Sequence, residues 1–173
     1  MRALFVGINP GIRSAITGHH FAGFSNRFWT LLFESGLVPE RVTAEDDDRL
    51  PGWGYGVTNL IARPTPGIDT LRADEYIVGA RVLRRKVRQW NPPVMALVGV
   101  TLYRSLFPAA ARTPPAVGLR DEPFEGARVF VLPNPSGRNA NYSYAEMLEA
   151  FTSLRIYLSN GKPMQPRRRE ESK

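Results

Sequence analysis

The chain has no cysteine among its 173 residues. A disulfide framework, cysteine-ligated zinc, an iron–sulfur cluster and a thiol nucleophile are therefore excluded. Histidine is nearly as scarce. Only His19 and His20 occur, side by side, so no metal site is expected. No apolar run reaches the roughly 18 residues needed to cross a bilayer. No signal-peptide pattern opens the chain. No membrane association is expected, and a cytoplasmic location, at the nucleoid if the source is bacterial. A Gly-x-Gly-x-x-Gly fingerprint, a phosphate-loop lysine and a serine-hydrolase elbow are also missing, so no nucleotide cofactor is expected. There are no internal repeats.

What is present is ordinary in bulk and uneven in charge. A hydrophobic fraction of 43% and a charged fraction of 23% suit one soluble domain with a real core. The net charge of +7 and isoelectric point of about 10.2 favour a polyanionic partner. In the stretch 162–173, Lys162, Arg167, Arg168, Arg169 and Lys173 outweigh Glu170 and Glu171, giving +3 and leaving +4 for the body. A merely soluble basic protein is the plain alternative. The expected organisation is a domain over 1–158 and a basic, disordered tail over 159–173.

Short apolar runs predict strands at Ala3–Ile8, Tyr55–Leu60, Val94–Val98 and Val129–Leu132. Residues 9–24 read as a loop. Ser25 is the expected cap of a helix that carries Phe28, Trp29, Leu31, Leu32 and Phe33 and ends near Gly36. The run Asp46-Asp47-Asp48 reads as a solvated helix start. Magnesium is the sharper alternative there, but three consecutive side chains do not converge. Ala73–Trp90 predicts a long amphipathic helix with Tyr76, Ile77, Ala80, Leu83, Val87 and Trp90 on one side, and Arg84-Arg85-Lys86 on a solvated face. A short helix follows at Thr101–Phe107, a Pro-rich loop at 108–126, and a closing helix at Tyr144–Leu158. Strands alternating with helices predict an α/β protein, a three-layer α/β/α sandwich with a central, mainly parallel sheet.

Two segments stand out against this frame. Gly7-Ile8-Asn9-Pro10-Gly11 and Asn134-Pro135-Ser136-Gly137 each follow an apolar strand. Strand ends of this kind form the ligand crevice of an open α/β sheet, so two distant loops can face one site. Residues 7–11 offer a tight turn, backbone N–H groups and a side-chain amide. Such a loop cradles an anion or the polar edge of a planar ring.

Three segments carry a resemblance: GINPGIRSAITGHHFAGFSNRFW (7–29), GVTNLIARPT (56–65) and VLPNPSG (131–137). In order and spacing they resemble the motifs of the mismatch-specific uracil/thymine-DNA glycosylases, of the uracil-DNA glycosylase superfamily. The likeness covers nearly all of 1–158 and implies the same sandwich. It also implies a partner, double-stranded DNA containing G·U or related mismatches, and cleavage of a base–sugar bond by a monomer without metal or cofactor. The base must leave the stack for the bond to be reached.

By the same resemblance, Asn9 is the catalytic residue, whose side-chain oxygen positions the attacking water. An amide can orient water but cannot deprotonate it at neutral pH. Backbone groups of Ile8, Gly11 and Ile12 would bind the base carbonyls. Phe21 would stack on the base, where an ordinary core aromatic is the alternative. Asn59 stands where some bacterial members have lysine, and Asn134 where faster relatives have a base-contacting histidine. The loop Pro135, Ser136, Gly137 and Arg138 would fill the hole left in the duplex, with arginine where many members have leucine. The Gly18-His19-His20 triplet is closer to the animal thymine glycosylases. It makes His20 a selectivity candidate, a structural loop histidine being the alternative. Ser14 replaces a smaller alanine of those enzymes. No lysine falls in the three segments, so no Schiff base is expected. A catalytically weak or inactive mismatch-binding module and a small-molecule hydrolase are the competing functions.

Overall fold

Successive side chains of a strand point to opposite faces of its sheet, and three strands here are apolar on both. In β1 (Ala3–Gly7), Ala3 and Phe5 join one core while Leu4 and Val6 join the other. In β3 (Val94–Val98), Val94, Ala96 and Val98 oppose Met95 and Leu97. In β5 (Arg128–Leu132), Phe130 and Leu132 oppose Val129 and Val131. Burial on both faces marks the central strands of a covered parallel sheet.

The computed structural model describes residues 1–109 and 117–160. With β2 (Tyr55–Asn59) and β4 (Gly118–Leu119), the strand order is β2-β1-β3-β5-β4. β1 is parallel to both β2 and β3, and β3 is parallel to β5; β4 alone is antiparallel. A short α1 (Ile12–Thr17) follows β1. α2 (Phe28–Glu34) and α5 (Tyr144–Asn160) cover one face of the sheet, and α3 (Ala73–Trp90) and α4 (Val100–Leu106) the other. This is the expected α/β/α sandwich. On the α2 side, Phe5 packs edge-on against Phe28 and Tyr55, with ring centroids 5.3 and 5.6 Å apart. Among the described residues no helix is long and apolar enough to cross a membrane.

Several local expectations are corrected. The loop expected at 9–24 contains α1, six residues with none buried, so no apolar stripe announces it. Ser25 does not cap α2. Arg27 holds that position, and the Asn26 side chain accepts the Phe28 N–H at 3.0 Å. Ser25 instead packs against Gly137, where a Cβ would come within 2.6 Å of the serine Cβ. On α3 the buried line is Gly79, Leu83 and Val87; Ile77 points outward at 65% exposure and Trp90 lies exposed in the last turn. The acidic run lies in a 3₁₀ helix, Ala44–Trp53, with Thr43 and Asp46 forming its capping box. Asp47 turns inward instead of into solvent. The loop expected at 108–126 contributes β4, and its residues 110–116 lie outside the described residues. α5 extends to Asn160, and the tail from 161 onward also lies outside them.

Candidate active site

The chain passes from β1 outward to β2 and then back to β3 on the other side of β1. Winding therefore reverses beside β1, and a crevice is expected at the carboxyl ends of these strands. A cleft of about 1190 Å³ opens there. It collects Gly7–Gly11 from β1, Asn59 from β2, Val98 and Gly99 from β3, and Asn134 from β5. Of the residues singled out from sequence, Ile8, Asn9, Gly11, Ile12, Ser14, His20, Phe21, Asn59, Asn134, Ser136 and Arg138 all line it. Pro135 and Gly137 do not. Pro135 is buried and its carbonyl accepts the Arg27 N–H at 2.9 Å, so these two dock the loop onto the segment before α2.

Asn9 is held by its amide nitrogen. Nδ2 donates to the Arg63 carbonyl at 2.9 Å and to Thr65 Oγ1 at 2.8 Å. The Thr65 hydroxyl proton goes to the Gly67 carbonyl at 2.6 Å, so Oγ1 must accept from Asn9. A carbonyl can only accept. Both partners thus demand the NH₂ end, and Oδ1 is the acceptor left over. The Thr65 N–H in turn donates to the Pro10 carbonyl at 3.2 Å, and the Leu60 and Ile61 N–H groups to the Gly7 and Ile8 carbonyls at 2.8 Å each. The Arg63 side chain is itself anchored on Glu75, which it holds down to a pKa of about 2, assisted by the Arg72 backbone N–H.

Gly7 sets the depth of the cleft. A Cβ there would lie 2.6 Å from Asn59 Oδ1 and 3.4 Å from the Phe21 ring. Only hydrogen at that position lets both side chains approach the end of β1. Phe21 has a left-handed backbone, φ 50°, unusual for a non-glycine residue. Three side chains fix the chain around it. Asp47 accepts the His20 N–H at 2.9 Å, the Trp29 indole donates to the His20 carbonyl at 3.1 Å, and Ser14 Oγ accepts the Ala22 N–H at 3.0 Å. The Phe21 ring is stacked on Phe28 with centroids 4.1 Å apart. Strain of this kind persists where its surroundings over-determine it.

The other Asp47 oxygen meets His19 Nδ1 at 3.1 Å. The His20 ring is held below its ordinary pKa of 6.5, first by burial; Asp47 opposes the shift and His19 adds to it. In the second loop, Asn134 Oδ1 accepts the Ser136 N–H at 3.0 Å and the Asn134 carbonyl accepts from Asn139 Nδ2 at 2.9 Å. Its oxygen is occupied in bracing the loop, and Nδ2 is the group left to meet a ligand. Sequence reasoning missed Thr65, Asp47 and Trp29. Thr65 closes the GVTNLIARPT segment, and Asp47 was hidden in a run that reads as solvated.

Among the described residues no aspartate or glutamate lines the cleft; its charged side chains are Arg13 and Arg138, and His19, His20 and Tyr142 are its other titratable ones. The arrangement can orient a water at Asn9 Oδ1 in a cleft with an aromatic and two arginines in its lining, and the described residues supply it no carboxylate base.

The G/U mismatch-specific uracil DNA glycosylase of Schizosaccharomyces pombe is 40% identical to the chain over 148 residues, 82% of this chain and 46% of that protein. The chain thus spans about half the length of this curated relative. The model of the uracil DNA glycosylase superfamily matches residues 1–155. That match runs from β1 into α5, through every segment that builds the cleft, and on that extent the chain belongs to the uracil DNA glycosylase superfamily.

Proposed function

We propose that the chain excises uracil from G·U mismatches in double-stranded DNA, hydrolysing the N-glycosidic bond and leaving an abasic site for base-excision repair. The observation that carries this is the locked Asn9 amide, its Oδ1 left over as an acceptor in a cleft that Phe21 also lines and that has no carboxylate among the described residues. The mismatched uracil is extruded into the cleft, a step made easier by its weak pairing. Phe21 stacks on the pyrimidine. Backbone N–H groups at Ile8, Gly11 and Ile12, with Asn59 and the Asn134 amide, bind its polar edge.

Asn9 Oδ1 accepts a hydrogen bond from the attacking water and aims it at C1′. No general base removes the water's proton at the outset, so the bond to the base breaks ahead of attack. An oxocarbenium-like sugar forms and the pyrimidine departs as an anion, stabilised by the N–H donors; the water oxygen then bonds to C1′ and its proton is released, neutralising the pyrimidine anion. A preorganised donor of this type is worth about 3 kcal/mol of barrier. Ser14 shapes selectivity. Its hydroxyl is held by the Ala22 N–H and does not swing aside for a methyl group, so thymine is the slower substrate.

The test is single-turnover cleavage of labelled duplexes containing G·U, A·U and G·T, revealed by alkali. Cleavage of G·U ahead of G·T, abolished in Asn9→Ala, is the expected result. Binding of G·U duplex without cleavage would overturn it in favour of a mismatch-binding role.

A further inference from the structure

Phe24 is the most exposed large apolar side chain among the described residues, at 89%, and Ile16 follows at 79%. Both line the mouth of the cleft, as do Ile12 and Arg13. Ile12 and Ile16 are one turn apart and share a face of α1, a helix with no buried residue. The Arg13 guanidinium lies over the Phe24 ring, 3.7 Å from its centroid. Among the described residues no carboxylate pairs with Arg13, whereas Arg49, Arg63, Arg72, Arg84 and Arg88 each have one. A stacked guanidinium keeps its N–H edge free, and that edge matches a phosphate in two-pronged fashion.

We propose that this lip is a second DNA-binding element. Phe24, with Ile16 beside it, packs on the sugar and base of a nucleotide flanking the extruded one, and Arg13 takes that nucleotide's phosphate. The inference rests on the proposed action on duplex DNA. Three observations choose this occupant over another protein. The apolar lip is continuous with the cleft that would take the base. Among the described residues the cleft lining contains no carboxylate, and Glu45 is the one acidic residue of the adjoining cavity that Arg13 and Phe24 also line, so a polyanion meets little repulsion on entering. The aromatic carries on its face a cation with no carboxylate partner among the described residues, and that pair suits a nucleotide, with a planar base beside an anionic phosphate.

The test uses the full chain and a G·U duplex made uncleavable by fluorine at the 2′ position of the deoxyuridine. Binding is followed by fluorescence anisotropy over a range of salt. Phe24→Ser is expected to weaken binding about tenfold with little change in salt slope, as for a lost stacking contact. Arg13→Gln is expected to lower the salt slope by about one. Ile16→Ser should follow Phe24→Ser in milder form. These side chains are exposed, so thermal melting should be unchanged and a folding defect will not masquerade as lost binding.

A wild type that excises uracil, with Phe24→Ser and Arg13→Gln both binding as it does, would overturn the lip and leave the glycosylase proposal standing. A wild type that neither excises uracil nor binds the duplex would overturn both. Self-association in sedimentation that Phe24→Ser abolishes, with DNA affinity unaltered, would assign the lip to a second copy of the chain instead.

Discussion

At the floor of the cleft, Asn9 and Thr65 are tied together across more than fifty residues of sequence, while Ser14, and Asp47 from behind the lining, brace the backbone on either side of Phe21. At its lip, Ile16 and Phe24 face outward, and the Arg13 guanidinium lies over an aromatic ring with no ion pair among the described residues. The two regions are adjacent in sequence and meet in one cleft, yet one is over-determined and the other is bare. Positioning a water to within a fraction of an ångström needs groups whose freedom the fold has already removed. Gripping a partner needs surface left unsatisfied until the partner arrives. The contrast predicts that floor substitutions reduce rate while lip substitutions reduce affinity.

The largest effect is expected at Asn9. Asn9→Ala should lower single-turnover excision by at least about 100-fold, the scale of a misplaced reacting group, with duplex binding retained in anisotropy. Equal losses of rate and affinity would erase the distinction between floor and lip.

Thr65→Val should come next. It keeps the shape but removes both the acceptor for Asn9 Nδ2 and the donor to Gly67. The amide then keeps only the Arg63 carbonyl as its anchor, and a loss of about ten- to a hundredfold in rate is expected from the broken hydrogen bond. Thr65→Ser should restore most of it, which a purely steric role for the methyl group would not allow.

Phe21→Ala removes the stacking surface and should cost about tenfold in affinity for uracil-containing duplex. It also uncovers Phe28 and should lower the melting temperature, as Phe24→Ser should not.

The smallest effect concerns pH. His20 titrates below 6.5 in the folded chain, so the unfolded chain takes up its proton first. Stability from this group is therefore full above pH 6.5 and declines as pH falls through that value, levelling off below the depressed pKa. His20→Gln should flatten this part of a melting-temperature profile between pH 5 and 8. An unchanged profile would show that burial of the ring does not govern the acid limb.

Much of the fold was legible because its central strands are buried on both faces and read as unbroken apolar runs bounded by glycine or proline. α1 was not legible. A six-residue helix with no buried side chain leaves no periodic trace, and its residues mix exposed isoleucine with polar positions. The helix starting at Phe28 was legible, but its cap was not. Ser25 and Asn26 are both good capping residues, and the approach of Gly137 decides which is free to act.

By itself the sequence determined the sandwich, the two Asn-Pro loops at strand ends and the likeness that points to Asn9 and Phe21. These depend on local pattern: strand periodicity, turn chemistry and residue type in order along the chain. Only the tertiary structure decided which end of the Asn9 amide faces the cleft, because Thr65 lies 56 residues away. It alone turned one aspartate of a charged run inward to hold His19 and His20, and left Phe24 uncovered where Phe21, three residues earlier, is braced against Phe28. Hydrogen-bond direction and side-chain exposure are properties of what distant segments bring together, and no local pattern encodes them.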